Sequence, residues 1–77
     1  MSDEKNPTTR KDKRMPTVHV YMMAGRSQDQ KESLIRKVTD AITESIDAPE
    51  ANVRVIISEI PKSDYGIAGT TGEKLGR

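Results

Sequence analysis

The sequence contains no cysteine, tryptophan or phenylalanine, and its 77 residues include two tyrosines and one histidine. The absence of cysteine excludes disulfide bonds, and a single histidine cannot by itself build a zinc site. Hydrophobic residues make up 32% of the chain, which is little for a domain of this size to form its own core. We therefore expect one small domain that buries further surface by self-association, as an obligate oligomer.

Long hydrophobic runs are also missing, so the sequence predicts neither a membrane-spanning helix nor the apolar segment of a secretory signal. The 13 basic and 12 acidic residues leave a net charge of +1. Their basic excess lies in residues 1–14, where the cluster from Arg10 to Arg14 is interrupted by Asp12 and lacks interleaved aromatic residues. Such a cluster is a weak signal for nucleic-acid binding. We predict a cytoplasmic protein with neither a membrane nor a nucleic-acid partner.

The chain divides at the Met15-Pro16 pair. Residues 1–15 offer almost no apolar side chain, so we predict a disordered basic extension there and a folded domain over residues 16–77. Three accounts of the extension stay open: translation that begins at Met15, a leader that is later removed, or a permanent extension. If Met15 initiates and is trimmed, Pro16 becomes a terminal secondary amine that exchanges a proton near neutral pH. Within a chain its nitrogen is an amide without useful basicity.

The first half of the domain carries clear local signals. A run of β-branched and aromatic residues, free of Gly and Pro, predicts a strand from Thr17 to Met23. Ser27 followed by Gln30 has the form of a capping box and predicts a helix over about residues 28–46. Apolar residues recur along that helix at steps of three and four and form one face, namely Leu34, Ile35, Val38, Ala41, Ile42 and Ile46.

The second half predicts the remaining strands. Ala48-Pro49 ends the helix, and the Val- and Ile-rich stretch from Asn52 to Ile60 predicts a second strand. A helix between two strands forms a right-handed crossover, so the two strands should be parallel. The turn-rich segment 62–72 predicts a small C-terminal hairpin that packs on a neighbour. The fold class is therefore α+β, a βαβ unit whose uncovered sheet face needs partner subunits.

Two of the candidate site residues are Pro16 and Arg26. An amine at Pro16 serves as a general base if burial and nearby cationic groups lower its pKa towards neutrality. The alternative is a proline that simply begins a strand. Arg26 lies at the junction of the first strand and the helix, where a guanidinium can hold a carboxylate by two hydrogen bonds. Its alternative is a solvated surface charge.

Two further candidates lie in the second half of the domain. Arg54 shares a strand face with Ile56, so its charge requires a partner. That partner is either a ligand or, in a structural ion pair, Glu50, Glu59 or an acid of a neighbouring subunit. Tyr65 either lines a pocket or packs at an interface. No group of residues predicts a metal site, and we expect His19 to be a satisfied strand histidine.

From Pro16 to about Gly69 the sequence resembles the 4-oxalocrotonate tautomerase family. The resemblance implies a βαβ fold assembled as a homohexamer, a trimer of dimers, with active sites between subunits. The matching segments, in order and with the family's spacing, are Met15-Pro16-Thr17-Val18, Ala24-Gly25-Arg26-Ser27, Gln30-Lys31-Glu32, Leu34-Ile35, Ala48-Pro49, Val53-Arg54-Val55-Ile56-Ile57 and Tyr65-Gly66-Ile67-Ala68-Gly69.

The resemblance also implies roles for the four candidates. Pro16 would be the general base that moves a proton between carbon positions of an unsaturated 2-oxo or 2-hydroxy acid. Arg26 and Arg54, from neighbouring subunits, would hold the carboxylate and polarise the 2-oxo group. Tyr65 stands where the family commonly has Phe, an aromatic that keeps the pocket apolar and helps to lower the pKa of the amine. The reaction implied needs no cofactor and no metal.

The leading hypothesis is a cofactor-independent isomerase that acts on an unsaturated oxo-dicarboxylic acid such as 2-hydroxymuconate, in the breakdown of aromatic compounds. It depends on Pro16 becoming the amino terminus. The alternative is a catalytically silent oligomeric family member in which the retained extension blocks Pro16 and which acts in assembly or in binding an anionic partner. A third hypothesis is dehalogenation or decarboxylation on the same scaffold, which requires a water-activating acid that the sequence does not identify.

Overall fold

The computed structural model describes residues 14–77. The disorder expected over residues 1–15 lies outside the described residues, apart from Arg14 and Met15. The order of elements confirms the predicted βαβ unit and the C-terminal hairpin. These elements are the strand β1 (Thr17–Met23), the helix α1 (Gln28–Ile46), the strand β2 (Arg54–Ile60), and the short strands β3 (Gly66–Ile67) and β4 (Thr70–Thr71), with 3-10 turns at Glu50–Asn52 and Lys62–Asp64.

The two long strands pair in parallel, as predicted, with Thr17 opposite Arg54 and Met23 opposite Ile60. The helix between them covers one face of this sheet, where Lys31 on α1 forms a 3.0 Å ion pair with Glu59 on β2. β3 and β4 form the antiparallel hairpin. Within residues 14–77 no helix is both long and apolar enough to cross a membrane. The fold is the predicted α+β class.

The N-terminus of α1 is held by the predicted capping box. The Ser27 side chain accepts a hydrogen bond from the Gln30 backbone N–H at 3.1 Å, and the Gln30 side chain accepts one from the Ser27 N–H at 2.9 Å. These bonds satisfy two of the backbone donors that a helix leaves unpaired at its start. The helix therefore begins where local sequence chemistry places it.

Replacing Ser27 by Ala is expected to reduce the free energy of unfolding by about 1 kcal/mol, because the cap bond to Gln30 is lost. Urea-induced unfolding at fixed protein concentration measures this loss, since the stability of an oligomer depends on concentration. Ser33→Ala is the matched control, at an exposed position inside α1 where Ala is the better helix former. Equal losses in the two variants would show that the cap does not stabilise the fold.

The helix α1 ends at Ile46, as predicted, but the residue that closes it and the start of β2 differ from the sequence-based expectation. Asp47 takes the left-handed conformation with φ 58°, and its N–H donates to the Thr43 carbonyl at 3.1 Å, which closes the helix before Ala48-Pro49. β2 begins at Arg54, two residues later than predicted. The reason is that the Asn52 N–H bonds to the Pro49 carbonyl at 2.9 Å, in a 3-10 turn, and not to the sheet.

Arg36 connects this turn to the helix. Its guanidinium contacts Asp40 at 2.6 Å and Glu50 at 2.9 Å. Hydrogen bonding to Arg36 holds the pKa of the Glu50 carboxyl below its ordinary value. The pair therefore contributes to stability above the ordinary pKa of a glutamate, and the contribution is lost as the pH falls through the lowered value. Because both side chains are exposed, this contribution is small.

One chain buries very little apolar surface. Within residues 14–77, Ala48 is the only apolar side chain that is buried, at 4% exposure. On the sheet face away from α1, Tyr21 is 64% and Ile56 is 47% exposed. The apolar face of α1 is also only partly covered, since Ile46 remains 48% exposed. A sheet face with large exposed apolar side chains indicates an interface between subunits, in agreement with the oligomer predicted from composition.

Candidate active site

Pro16 and Arg54 lie together at one end of the sheet. Pro16 is half-buried directly before β1, and its carbonyl accepts a hydrogen bond from the Arg54 N–H at 2.9 Å. This bond continues the parallel ladder by one residue, so the pairing of β1 with β2 brings the two residues together. The Arg54 side chain is exposed, and its Nη1 donates to the Ala51 carbonyl at 2.9 Å.

The guanidinium of Arg54 has no acidic partner in the described part of the chain. An ion pair with Glu50 or Glu59 was one alternative from the sequence, and neither pair forms. Glu50 is held by Arg36 and Glu59 by Lys31. Both carboxylates are paired with side chains of α1. Arg54, in contrast, alternates onto the sheet face that α1 leaves uncovered. The positive charge of Arg54 is therefore directed towards solvent, where an anionic ligand can reach it.

Arg26 and Tyr65 lie at the opposite end of the sheet. Arg26 is exposed in the loop that follows Met23, the last residue of β1. Tyr65 is half-buried, and its carbonyl accepts a 2.7 Å hydrogen bond from the N–H of Gly72. Gly72 is buried against the sulfur of Met23. The hairpin thus brings Tyr65 to the end of β1 from which Arg26 projects.

The four candidates do not converge within one chain. β1 contains seven residues, and a strand rises by about 3.3 Å per residue, so the two ends of the sheet are separated by about 20 Å. Pro16 and Arg54 form one half of the set, and Arg26 and Tyr65 form the other. A small substrate can meet both halves only if one subunit presents its Pro16 end to the Arg26 end of another.

A further cation, which the sequence did not mark as a candidate, lies over Gly25, the residue that precedes Arg26. The side chain of Lys62 extends along Gly25, with Cε 3.6 Å and Nζ 3.9 Å from the position that a Cβ on Gly25 would occupy. Gly25 has φ +128°, a conformation that favours glycine. The available sequence signal was this glycine directly before Arg26, but its contact with Lys62 depends on the fold.

Arg14 attaches the segment before Pro16 to the end of α1. Its Nη1 donates to the carbonyls of Ile46 and Asp47, both at 2.9 Å, and lies 3.7 Å from the Asp47 carboxylate. The Asn52 side-chain amide donates to the Arg14 carbonyl at 2.9 Å. As long as these residues precede Pro16, its nitrogen is a tertiary amide and cannot accept a proton.

His19 and Tyr21 lie on the sheet face away from α1. The His19 Nε2 is hydrogen-bonded to the Ser58 hydroxyl, and its ring stacks on that of Tyr21 with centroids 4.3 Å apart. These contacts confirm the expectation of a satisfied strand histidine. His19 is therefore not part of either half of the candidate site.

Several known proteins are similar to this chain in sequence and in fold. A family model described as "Tautomerase enzyme" matches residues 16–74. The 2-hydroxymuconate tautomerases of Comamonas testosteroni and Pseudomonas putida are each 51% identical over 63 residues, which is 82% of this chain and 100% of theirs. Among solved structures, a 4-oxalocrotonate tautomerase isozyme from Methylibium petroleiphilum is 44% identical with a TM-score of 0.79, over 80% of this chain and 100% of that one. A heterohexamer 4-oxalocrotonate tautomerase from Chloroflexus aurantiacus is 34% identical with a TM-score of 0.76, over 79% of this chain and 98% of its own.

Proposed function

Because the chain belongs to the tautomerase family of enzymes, we propose that it moves a double bond in a short unsaturated 2-hydroxy or 2-oxo dicarboxylic acid, with 2-hydroxymuconate as substrate. The observation that carries this proposal is the 51% sequence identity with 2-hydroxymuconate tautomerases over their whole length. The alternative of a silent assembly protein is not favoured by these relatives, which carry enzyme names. We further propose that the reaction belongs to the breakdown of aromatic compounds.

The chemistry requires one group that accepts and returns a proton. With 2-hydroxymuconate as substrate, the 2-hydroxyl group loses its proton, and the electron pair that remains is delocalised over this oxygen and the two conjugated double bonds. Return of the proton to the carbon at the far end of this system leaves a 2-oxo group and one carbon–carbon double bond, which lies between the positions of the two former ones. The proposed base is the secondary amine of Pro16, because a terminal amine can both accept and return a proton near neutral pH.

This role requires Pro16 to be the first residue of the active protein. The family model begins its match at Pro16, which supports a catalytic domain that starts there. A chain that retains Met15 has no base at this position, because the proline nitrogen then lies in a peptide bond. We therefore propose that the active form is the one that begins at Pro16.

Arg26 and Arg54 are proposed to bind and polarise the substrate. A guanidinium forms two parallel hydrogen bonds with a carboxylate, and a positive charge near the oxygen on C2 stabilises the negative charge of the dienolate that forms when the proton is removed. Neither arginine forms an ion pair within residues 14–77, so both charges can be used by the substrate. Tyr65 is proposed to supply an apolar wall beside Arg26.

The separation of the two halves supports active sites between subunits. We propose a homohexamer, built as a trimer of dimers, in which the exposed sheet face with Tyr21 and Ile56 is covered by neighbouring subunits. The relative from Chloroflexus aurantiacus is itself a heterohexamer, so assembly from more than one kind of chain occurs among similar structures. The cytoplasmic location expected from the sequence stays a prediction.

Purified protein that begins at Pro16 is expected to convert the enol 2-hydroxymuconate into its ketone. The decay of the dienol absorbance measures the rate, and intact mass spectrometry verifies the first residue. We expect kcat/KM in the range of about 10⁴–10⁸ M⁻¹s⁻¹ that is usual for enzymes. A rate no faster than that of buffer with heat-denatured protein would contradict the proposed function.

A further inference from the structure

The position of Lys62 is fixed by the main chain around it. Lys62 is the first residue of the 3-10 turn after β2, and its carbonyl accepts hydrogen bonds from the N–H groups of Glu73 at 3.2 Å and Tyr65 at 3.5 Å. The turn is thus tied to both sides of the hairpin. The lysine stem then extends over Gly25, with Cε 3.6 Å from the position that a Cβ on this residue would occupy. Its ammonium group lies next to the residue that precedes Arg26.

Lys62 and Arg26 therefore bring two cationic side chains to the same end of the sheet. Neither Arg26 nor Lys62 forms an ion pair within residues 14–77. The acidic residue closest in sequence, Asp64, is hydrogen-bonded to the hydroxyl of Ser63. Two cations without acidic partners at one end of the sheet attract an anion, and a bound carboxylate can be shared between them.

We propose that Lys62 binds the second carboxylate of a dicarboxylate substrate, together with Arg26, and thereby makes the site prefer dicarboxylates over monocarboxylates. This inference rests on the proposed function and adds the residue that recognises the far end of the substrate. Arg54, on the other half of the site, is about 20 Å away in the same chain. Lysine suits this role because its ammonium is a compact charge that binds a carboxylate without a fixed bidentate geometry.

The contact with Gly25 has a purely structural alternative, in which the lysine stem only covers the backbone of the loop. A neutral side chain of similar length distinguishes the two roles, because it can still cover the loop but cannot bind a carboxylate by its charge. Lys62→Gln keeps most of the stem over Gly25 and removes the charge, whereas Lys62→Arg keeps the charge. Lys37→Gln is the matched control, since Lys37 is an exposed lysine on α1 outside both halves of the site.

The first measurement is kcat/KM for 2-hydroxymuconate and for the monocarboxylate 2-hydroxypenta-2,4-dienoate, with protein that begins at Pro16. We expect Lys62→Gln to lower kcat/KM for the dicarboxylate about 10-fold, mainly through KM, because one charge-assisted hydrogen bond is lost. The monocarboxylate should change by less than about 2-fold, and Lys62→Arg should keep the preference. Equal losses on both substrates, or none on either, would overturn the role of Lys62.

The second measurement does not depend on turnover. Calorimetric titration with adipate and with hexanoate compares a dicarboxylate with a monocarboxylate of the same length. The wild-type protein is expected to bind adipate about 10-fold more tightly than Lys62→Gln does, and hexanoate equally. If adipate binding is unchanged, the inference about Lys62 is wrong whether or not the protein is active. If adipate binding weakens but 2-hydroxymuconate is not converted, the proposed function fails and the dicarboxylate site stands.

Discussion

Protein that begins at Pro16 is expected to lose about 10²-fold in kcat/KM for 2-hydroxymuconate when Pro16 is replaced by Ala. The alanine variant still has a terminal amine, so the loss is expected at the lower end of the effect of a general base. The change removes the pyrrolidine ring that fixes the direction of the nitrogen lone pair. The acidic limb of the pH profile of kcat/KM should also move, because this limb reports the pKa of the base in the free enzyme.

A chain in which the Met15–Pro16 bond is intact should show the larger loss of about 10²–10⁴-fold, since no amine is left at this position. Intact mass spectrometry distinguishes this chain from the protein that begins at Pro16. For the substitution Pro16→Ala, the matched control is Pro49→Ala. Pro49 precedes a 3-10 turn, and the hydrogen bond that its carbonyl accepts from the Asn52 N–H is kept in the variant. Full activity of the 77-residue chain would require a different proton acceptor.

The elements that could be predicted from the sequence are those whose signals are local. The capping box of Ser27 and Gln30 uses residues three positions apart, and the β-branched run of β1 needs no distant partner. The last residue of α1, Ile46, was predicted correctly but its cause was not, because the left-handed conformation of Asp47 closes the helix before the proline acts. The first residues expected in β2 form a turn instead, because Asn52 satisfies its backbone N–H within that turn.

The site was predictable as a list of residues and not as an arrangement. The order and spacing of the matching segments identified the candidates Pro16, Arg26, Arg54 and Tyr65. These segments give no distances between the side chains. Their division between two ends of the sheet follows from the register of β1 and β2. The position of Lys62 over Gly25, next to Arg26 in the sequence, depends on the packing of the turn after β2, a contact between segments far apart in sequence. Such long-range contacts leave no local pattern.

Arg26→Ala is expected to reduce kcat/KM about 10²–10³-fold, because a positive charge that stabilises developing negative charge is removed. Because Pro16 and Arg26 are far apart in one chain, two inactive variants should also regain activity when their chains are mixed. When Arg26→Ala and Pro16→Ala chains are unfolded, mixed in equal amounts and refolded together, some sites receive an intact Pro16 from one chain and an intact Arg26 from another. With random assembly about a quarter of the sites are complete, so about a quarter of wild-type activity should return.

A mixture of wild-type chains with chains that carry both substitutions separates the two possible origins of a complete site. If each site takes Pro16 and Arg26 from different subunits, an equal mixture keeps about a quarter of its sites, whereas sites built within one chain would keep about half. Native mass spectrometry confirms that the chains have mixed. We expect about a quarter of the sites to remain complete, because the length of β1 holds Pro16 and Arg26 about 20 Å apart in one chain. An inactive mixture of the two single variants would instead assign Pro16 and Arg26 to one subunit, and the sheet would have to be rearranged in the assembly to bring them together.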